Sequence, residues 1–299
     1  MKKDLLTLQD LTKSEILAVI ARAIEIKKAS RNSNRSLVGY TLGLIFDKAS
    51  TRTRISFETA MFHLGGQTLF LTPGDTQISR NEPIKDTARV LSRYLDILAV
   101  RTYSQDMVEE MAHWADIPVI NALTDQYHPC QILSDLMTVK EKKGDLDKVK
   151  IAWIGDGNNV AHSWINAARI VGFDLALACP SGYHPDPKVM AGAGKNITLQ
   201  EDPLMAVHDV DIINTDVWTS MGQDEEQTQR VSDFQGFQIN QSLLKSAKPD
   251  ALVMHCLPAH RGEEITDEVL EGPHSVVFDQ TENKMHLHKA LLETMLLPR

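Results

Sequence analysis

Short apolar runs alternate with longer segments whose apolar positions recur every three or four residues, and the pattern extends almost the length of the chain. The first periodic segment opens near Thr12, where Thr12 and Glu15 make a capping-box signature and Ile16, Leu17, Ile20 and Ile24 mark one helical face. Strand-like runs come next at Leu42–Phe46, Thr68–Leu71, Ile97–Val100 and Pro118–Ile120, each leading into a helix-like segment. A helix predicted from Pro129 ends in the polar stretch Lys140–Asp145. The alternation then restarts at Lys150–Ile154, Leu175–Ala178, Ile197–Leu199, Asp211–Asn214, Leu252–His255 and Val276–Phe278. Two βαβ series joined by one helix predict an α/β protein: two parallel-sheet βαβ domains with an interdomain active-site cleft.

Length agrees with that organisation, since 299 residues suggest about two domains. A net charge of -9 argues against a general nucleic-acid binder or a protein of anionic membranes, although a local arginine cluster can still receive an anion. Cys130, Cys179 and Cys256 are scattered and odd in number, which points to a reducing compartment rather than a disulfide framework. Met1-Lys2-Lys3-Asp4 has no apolar segment behind it, and no apolar run approaches the ~18 residues of a membrane span. The expectation is a cytoplasmic protein with no targeting segment.

In parallel α/β sheets, ligands sit beyond the carboxyl ends of strands. After the first strand comes Ser50-Thr51-Arg52-Thr53-Arg54, where hydroxyls, guanidiniums and a helix start together favour a small dianion such as phosphate. An ordinary Ser N-cap before a salt-bridged helix would explain the pentapeptide alone. Arg101 follows the third strand and could converge on the same anion. His128-Pro129-Cys130-Gln131 follows the fourth; Pro129 suits a first helical position, which places His128 at the helix start. There the histidine could donate to a polarised carbonyl, and Gln131 could read an amide.

In the second series, Gly155-Asp156-Gly157-Asn158-Asn159 has the outline of a dinucleotide loop, but Val160 stands where the third glycine belongs, and the next strand runs into Cys179-Pro180 without an acid. Asn159 is better read as a polar tip for a small ligand. Asp216, ahead of Ser220-Met221-Gly222, suits an ammonium-bearing ligand. Cys256-Leu257-Pro258 follows the strand Leu252–His255. The His/Cys pairs lack zinc-ligand spacing, so no metal and no cofactor is expected.

Ser-Thr-Arg-Thr-Arg, His-Pro-Cys-Gln, Asp-x-x-x-Ser-Met-Gly and His-Cys-Leu-Pro, in that order over essentially the whole chain, resemble the aspartate/ornithine carbamoyltransferase family and its ornithine branch. The resemblance implies a carbamoyl-phosphate-binding domain at 1–145, an ornithine-binding domain at 146–285 and a C-terminal helix at 286–299 packing back on the first domain. It implies that Ser50, Thr51, Arg52, Thr53, Gln77, Arg101, His128, Pro129, Cys130, Gln131, Cys256, Leu257 and Lys284 contact carbamoyl phosphate, with Gln77 on a loop that can approach a neighbouring subunit's site. Asn159, Asp216, Ser220 and Met221 would bind ornithine, and Arg101, His128, Asp216 and Cys256 would serve catalysis. A cis bond is implied before Pro258. The implied activity is citrulline formation in arginine biosynthesis by a homotrimer or a multiple of it; a related amine, putrescine or an N-acylated ornithine, is the alternative acceptor. Members usually carry arginine where this chain has Lys284, which keeps the charge but loses the two-pronged fork.

Overall fold

The computed structural model describes residues 4–29, 35–72, 74, 76, 82–219 and 226–297. The chain divides into two compact units, Met1–Met137 with Glu282–Arg299, and Thr138–Thr281.

The first unit is built on four parallel strands, β1 (Thr41–Phe46), β2 (Gln67–Leu71), β3 (Ile97–Arg101) and β4 (Val119–Leu123), in the order β2-β1-β3-β4. β1 and β3 lie in the middle and are buried almost throughout, so they read as continuous apolar runs, whereas the edge strand β2 alternates in exposure. The helices are α1 (Lys13–Lys28), α2 (Thr51–His63), α3 (Ile84–Leu91), α4 (Gln105–Trp114) and α5 (Pro129–Lys143), the last continuing past the unit boundary. Ala88 of α3 and Val108, Met111 and Ala112 of α4 pack with Ile45, Leu98 and Val100 of the sheet.

The Thr12–Glu15 capping box forms as the sequence indicates. The buried face of α1 is Ile16, Val19, Ile20, Ala23 and Ile26, while Leu17 and Ile24 are only half-buried at its margin. The stripe is therefore turned by about one position from the one read off the largest side chains.

Residues from Glu282 onward belong to the long C-terminal helix (Val277–Leu296) and complete the first unit. Glu293 accepts from Arg22 Nε at 2.9 Å and Ser36 Oγ at 2.6 Å, Asn283 accepts from Lys27 at 2.7 Å, and His288 stacks on Phe57 with ring centres 3.6 Å apart.

The second unit holds five parallel strands, β5 (Lys150–Ile154), β6 (Asp174–Ala178), β7 (Ile197–Gln200), β8 (Ile212–Thr215) and β9 (Leu252–His255), ordered β7-β6-β5-β8-β9. Ala152, Ile154, Ile213 and Val253 supply one face of the core, packed with Val207, Phe234 and Ile265. The helix α6 (Asn159–Val171) follows β5, and its Trp164 meets Phe173 edge-on at 5.8 Å.

The strand read at Val276–Phe278 does not exist. Only an isolated bridge, Ser275 to Val253, extends the pairing, and the C-terminal helix begins at Val277. Three apolar residues are too few to hold a strand once Asp279 occupies the first helical turn, where the helix dipole favours an acid, and Phe278 points largely to solvent.

Candidate active site

The order of strands places the motifs. β1, β3 and β4 are consecutive neighbours, so the turn after β1, Arg101 at the end of β3, and His128 after β4 all gather at one carboxyl edge of the first unit. The Asp47 amide donates to the Arg101 carbonyl at 2.8 Å, which fixes the start of the β1–α2 turn beside that arginine. The β3–β4 register slips there: Val100 pairs with Asn121 and Arg101 with Leu123, so Ala122 bulges and turns the end of the strand.

Ser50 caps α2, its hydroxyl accepting the Thr53 amide at 3.2 Å. Thr51, Arg52 and Thr53 form the first turn, with Thr53 buried, Arg52 half-buried and Thr51 exposed. A capped helix start with backbone N–H groups, hydroxyls and a guanidinium is suited to phosphate oxygens.

Pro129 opens α5, and the carbonyl of His128 accepts the Gln131 amide at 3.2 Å. Arg101, His128, Gln131 and Lys284 are all buried. Burial holds the His128 imidazole well below its ordinary protonation range, and the charges of Lys284, Arg101 and His288 push it further the same way. It is therefore a neutral ring with one N–H to donate. Lys284 reaches in from the C-terminal helix and donates to Gln131 Oε1 at 2.8 Å, while Gln131 Nε2 donates to Asp135 Oδ1 at 2.8 Å. Cys130 turns away: its thiol contacts the Asn121 carbonyl at 3.5 Å, and burial pushes it up to about 12.

In the second unit β5, β8 and β9 are neighbours, so Asn159, Asp216 and Cys256 share one carboxyl edge. Asn158 caps α6, accepting the Val160 and Ala161 amides, and its Nδ2 donates to Asp216 Oδ2 at 3.2 Å. Asp216 Oδ1 accepts from the Val217 amide and from the Cys256 thiol, each at 2.9 Å. Asn159 stands at the first helical position, half-buried. Leu257 adopts φ 55° ahead of a cis bond to Pro258, as the resemblance implied.

The turn is braced from below. His255 Nδ1 accepts the Leu257 amide at 2.9 Å, which leaves Nε2 as donor to Glu264 Oε1 at 3.0 Å, and the His255 amide donates to Gln280 at 3.0 Å. Among the described residues, Asp216, His255 and Cys256 form a group of possible metal ligands, as do His260, Glu263 and Glu264. In the first group both imidazole nitrogens are already committed, and the thiol and carboxylate bond each other. Gln77, Ser220 and Met221 lie outside the described residues.

Three contributors went unread in the sequence. Asp135 was signalled by its i, i+4 spacing from Gln131 on one helix face. Asn158 was signalled by its cap position. Arg230, which bonds Asp156 and the Trp218 carbonyl at 2.8 Å each, carries no local motif.

Residues 3–141 match the family model described as aspartate/ornithine carbamoyltransferase, carbamoyl-P binding domain, and residues 147–295 match that described as its Asp/Orn binding domain. The chain is 56% identical over 302 residues to the ornithine carbamoyltransferase of Desulfotalea psychrophila, covering 99% of this chain and 100% of that one. Among solved structures, ornithine carbamoyltransferase from Pyrococcus furiosus is similar with a TM-score of 0.95 at 50% identity, covering 98% of this chain and 97% of that chain. The anabolic enzyme from Campylobacter jejuni is similar with a TM-score of 0.93 at 40% identity, covering 98% and 99%.

Proposed function

This chain belongs to the aspartate/ornithine carbamoyltransferase family, and from that premise we propose that it transfers the carbamoyl group of carbamoyl phosphate to the δ-amino group of L-ornithine, giving L-citrulline and phosphate. The observation that carries the choice of acceptor is the Asp216 carboxylate, presented at a strand end with the Cys256 thiol and Asn158 amide oriented on it. A carboxylate there suits an ammonium; a dicarboxylate acceptor would call for cations.

In this reading Ser50, Thr51, Arg52 and Thr53 hold the phosphate, Arg101 spans phosphate and carbonyl, and Lys284 adds positive charge. His128 donates to the carbonyl oxygen and Gln131 accepts from the carbamoyl NH2. Asp216 orients the α-ammonium of ornithine, with Asn159 on the same ligand and Cys256 nearer the reacting amine. Cys256 and Leu257 are further contacts of carbamoyl phosphate. Pro129 shapes the turn that carries His128.

Carbamoyl phosphate brings its own leaving group, so the protein has to hold the electrophile, neutralise charge and receive an uncharged amine. A δ-amino group resembles that of lysine, pKa ~10.4, so about one molecule in 10³ is nucleophilic at neutral pH. As the nitrogen bonds to the carbonyl carbon, charge builds on oxygen, where Arg101, neutral His128 and the Thr53 hydroxyl stabilise it, each donor being worth ~3 kcal/mol. The carbon–oxygen bond to phosphate then breaks, and phosphate leaves with the amine's proton. We place the enzyme in the cytoplasm, in arginine biosynthesis, as a homotrimer or a multiple of it.

A citrulline-forming assay with ornithine, putrescine, aspartate and N-acetylornithine tests the assignment. Ornithine is expected to win by a wide margin. Preference for another amine would replace the acceptor, and absence of carbamoyl transfer to all four would remove the activity.

A further inference from the structure

We propose that Asp135, which the carbamoyl-phosphate reading leaves without a role, is a positioning residue: with Lys284 it fixes which end of the Gln131 carboxamide bears oxygen. The inference rests on that reading, because it concerns how Gln131 meets the carbamoyl group.

A primary carboxamide can turn over by half a rotation with almost no change of shape, exchanging an acceptor for a donor. Both ends of this one are held. Gln131 Nε2 donates to Asp135 Oδ1 and Lys284 Nζ donates to Gln131 Oε1, each at 2.8 Å. The three side chains are buried, Asp135 being only 1% exposed. A carboxylate has no proton to give and an ammonium has no lone pair to offer. Turning the amide over would set its oxygen against the Asp135 carboxylate and its NH2 against the Lys284 ammonium. Both contacts repel, and with little water to screen them only one orientation survives.

That orientation is the useful one. Oε1 has a second lone pair after accepting from Lys284, and a carbamoyl NH2 needs an acceptor. The reversed amide would oppose one NH2 with another. The chain of bonds also runs from an anion through a polarisable amide to a cation, which strengthens Oε1 as an acceptor and steadies the ammonium close to His128. α5 supplies the arrangement locally, since residues four apart share a face. Asp135 acts through Gln131 and touches no reacting atom.

The test is steady-state citrulline formation with carbamoyl phosphate varied, on the full-length protein and its Gln131→Ala, Asp135→Asn, Gln131→Glu and paired variants. Asp135→Asn can donate as well as accept, so the amide is freed. It should raise the carbamoyl-phosphate KM about tenfold, as loss of one oriented hydrogen bond would, with the ornithine KM unmoved. Placed on Gln131→Ala it should add nothing. Gln131→Glu alone sets carboxylate against carboxylate and should raise that KM at least as far. Adding Asp135→Asn to it should return the KM to within about threefold of the unsubstituted protein, because the new carboxylate then accepts from the new amide and from Lys284. An Asp135→Asn effect that multiplies with Gln131→Ala, or no rescue of Gln131→Glu, would reduce Asp135 to a helix-stabilising residue and end the proposal. Should Asp135→Asn fail to fold, the Gln131→Glu/Asp135→Asn pair still decides. An unchanged carbamoyl-phosphate KM in Gln131→Ala is a separate result: it removes Gln131 from the substrate site, and the inference with it.

Discussion

The Cys256 thiol donates to Asp216 Oδ1 across 2.9 Å, tying the turn after β9 to the turn after β8. With the Val217 amide on the same oxygen and the Asn158 amide on the other, the carboxylate is held by three donors before any ligand arrives. Asp216→Asn keeps the shape and removes the charge. It should raise the ornithine KM about a hundredfold, the scale of a lost charge-assisted contact, and leave that for carbamoyl phosphate within about twofold. Cys256→Ser retains a donor and should lose less activity than Cys256→Ala; equal losses in kinetic assays would show that the contact with Asp216 is not what matters.

Lys284 lies on the C-terminal helix with its ammonium on Gln131. Lys284→Met removes a buried positive charge from the proposed anion site, and carbamoyl-phosphate affinity measured by calorimetry should fall about a hundredfold. Lys284→Arg restores the fork that family members usually carry and should tighten binding or leave it unchanged. Marked weakening would mean that the helix places its cation too close for a guanidinium.

Two buried histidines set an acid limit on stability. Burial, reinforced by the charge of Lys284, depresses protonation of both His128 and His288. Below about pH 6.5 the unfolded chain takes up protons that the folded one refuses, so this stability is complete above that pH and is lost as pH falls through the window beneath it. Each ring contributes a slope of up to about 1.4 kcal/mol per pH unit. The thermal midpoint should drop between pH 7.5 and 5.5, and His288→Gln should flatten the drop. An identical slope in that variant would trace the acid lability to other groups. Because His128 stays neutral across the range, activity rising from pH 6 toward 8 reports the amine, and a flat profile of the chemical step would contradict the mechanism.

Gly157 stands where no side chain fits. A Cβ there would lie 2.2 Å from the Pro185 nitrogen and 2.5 Å from the His184 carbonyl carbon, both backbone atoms. Gly157→Ala must push the loop that carries Asn158, the partner of Asp216. A loss of about 1–3 kcal/mol in a denaturation experiment is expected, together with a raised ornithine KM and normal carbamoyl-phosphate binding. Unaltered stability would show that the neighbouring chain yields freely.

The sequence was most readable where one physical cause acted alone. Buried parallel strands show as apolar runs, so β5 and β9 were located to the residue, and the Thr12 cap announced itself by side-chain chemistry. Val276–Phe278 misled because a β-branched pair is silent about its C-terminal neighbours, and here the acid at Asp279 and the bond from the His255 amide to Gln280 decide for helix. Ser50, Arg101, His128, Asp216 and Cys256 lie just after strands, where topology collects ligand groups in parallel sheets, and that placement is what singles them out in the sequence. The lock on Gln131 was invisible: its oxygen partner is 153 positions away, and no periodicity links α5 to the C-terminal helix. The same holds for His288, whose ring covers Phe57 from the far end of the chain.

Synthesis runs from one end, and the first unit draws on both. When the ribosome has made Met137, the chain lacks Lys284, His288 and Glu293, the partners of Gln131, Phe57 and Arg22. A nascent chain must therefore wait, with α1 and α2 uncovered on one side, until the second unit has emerged whole. The proposed phosphate site gains Lys284, the partner of Gln131, only after the whole second unit has been made, which makes truncations ahead of Lys284 as damaging to the earliest residues as to the last.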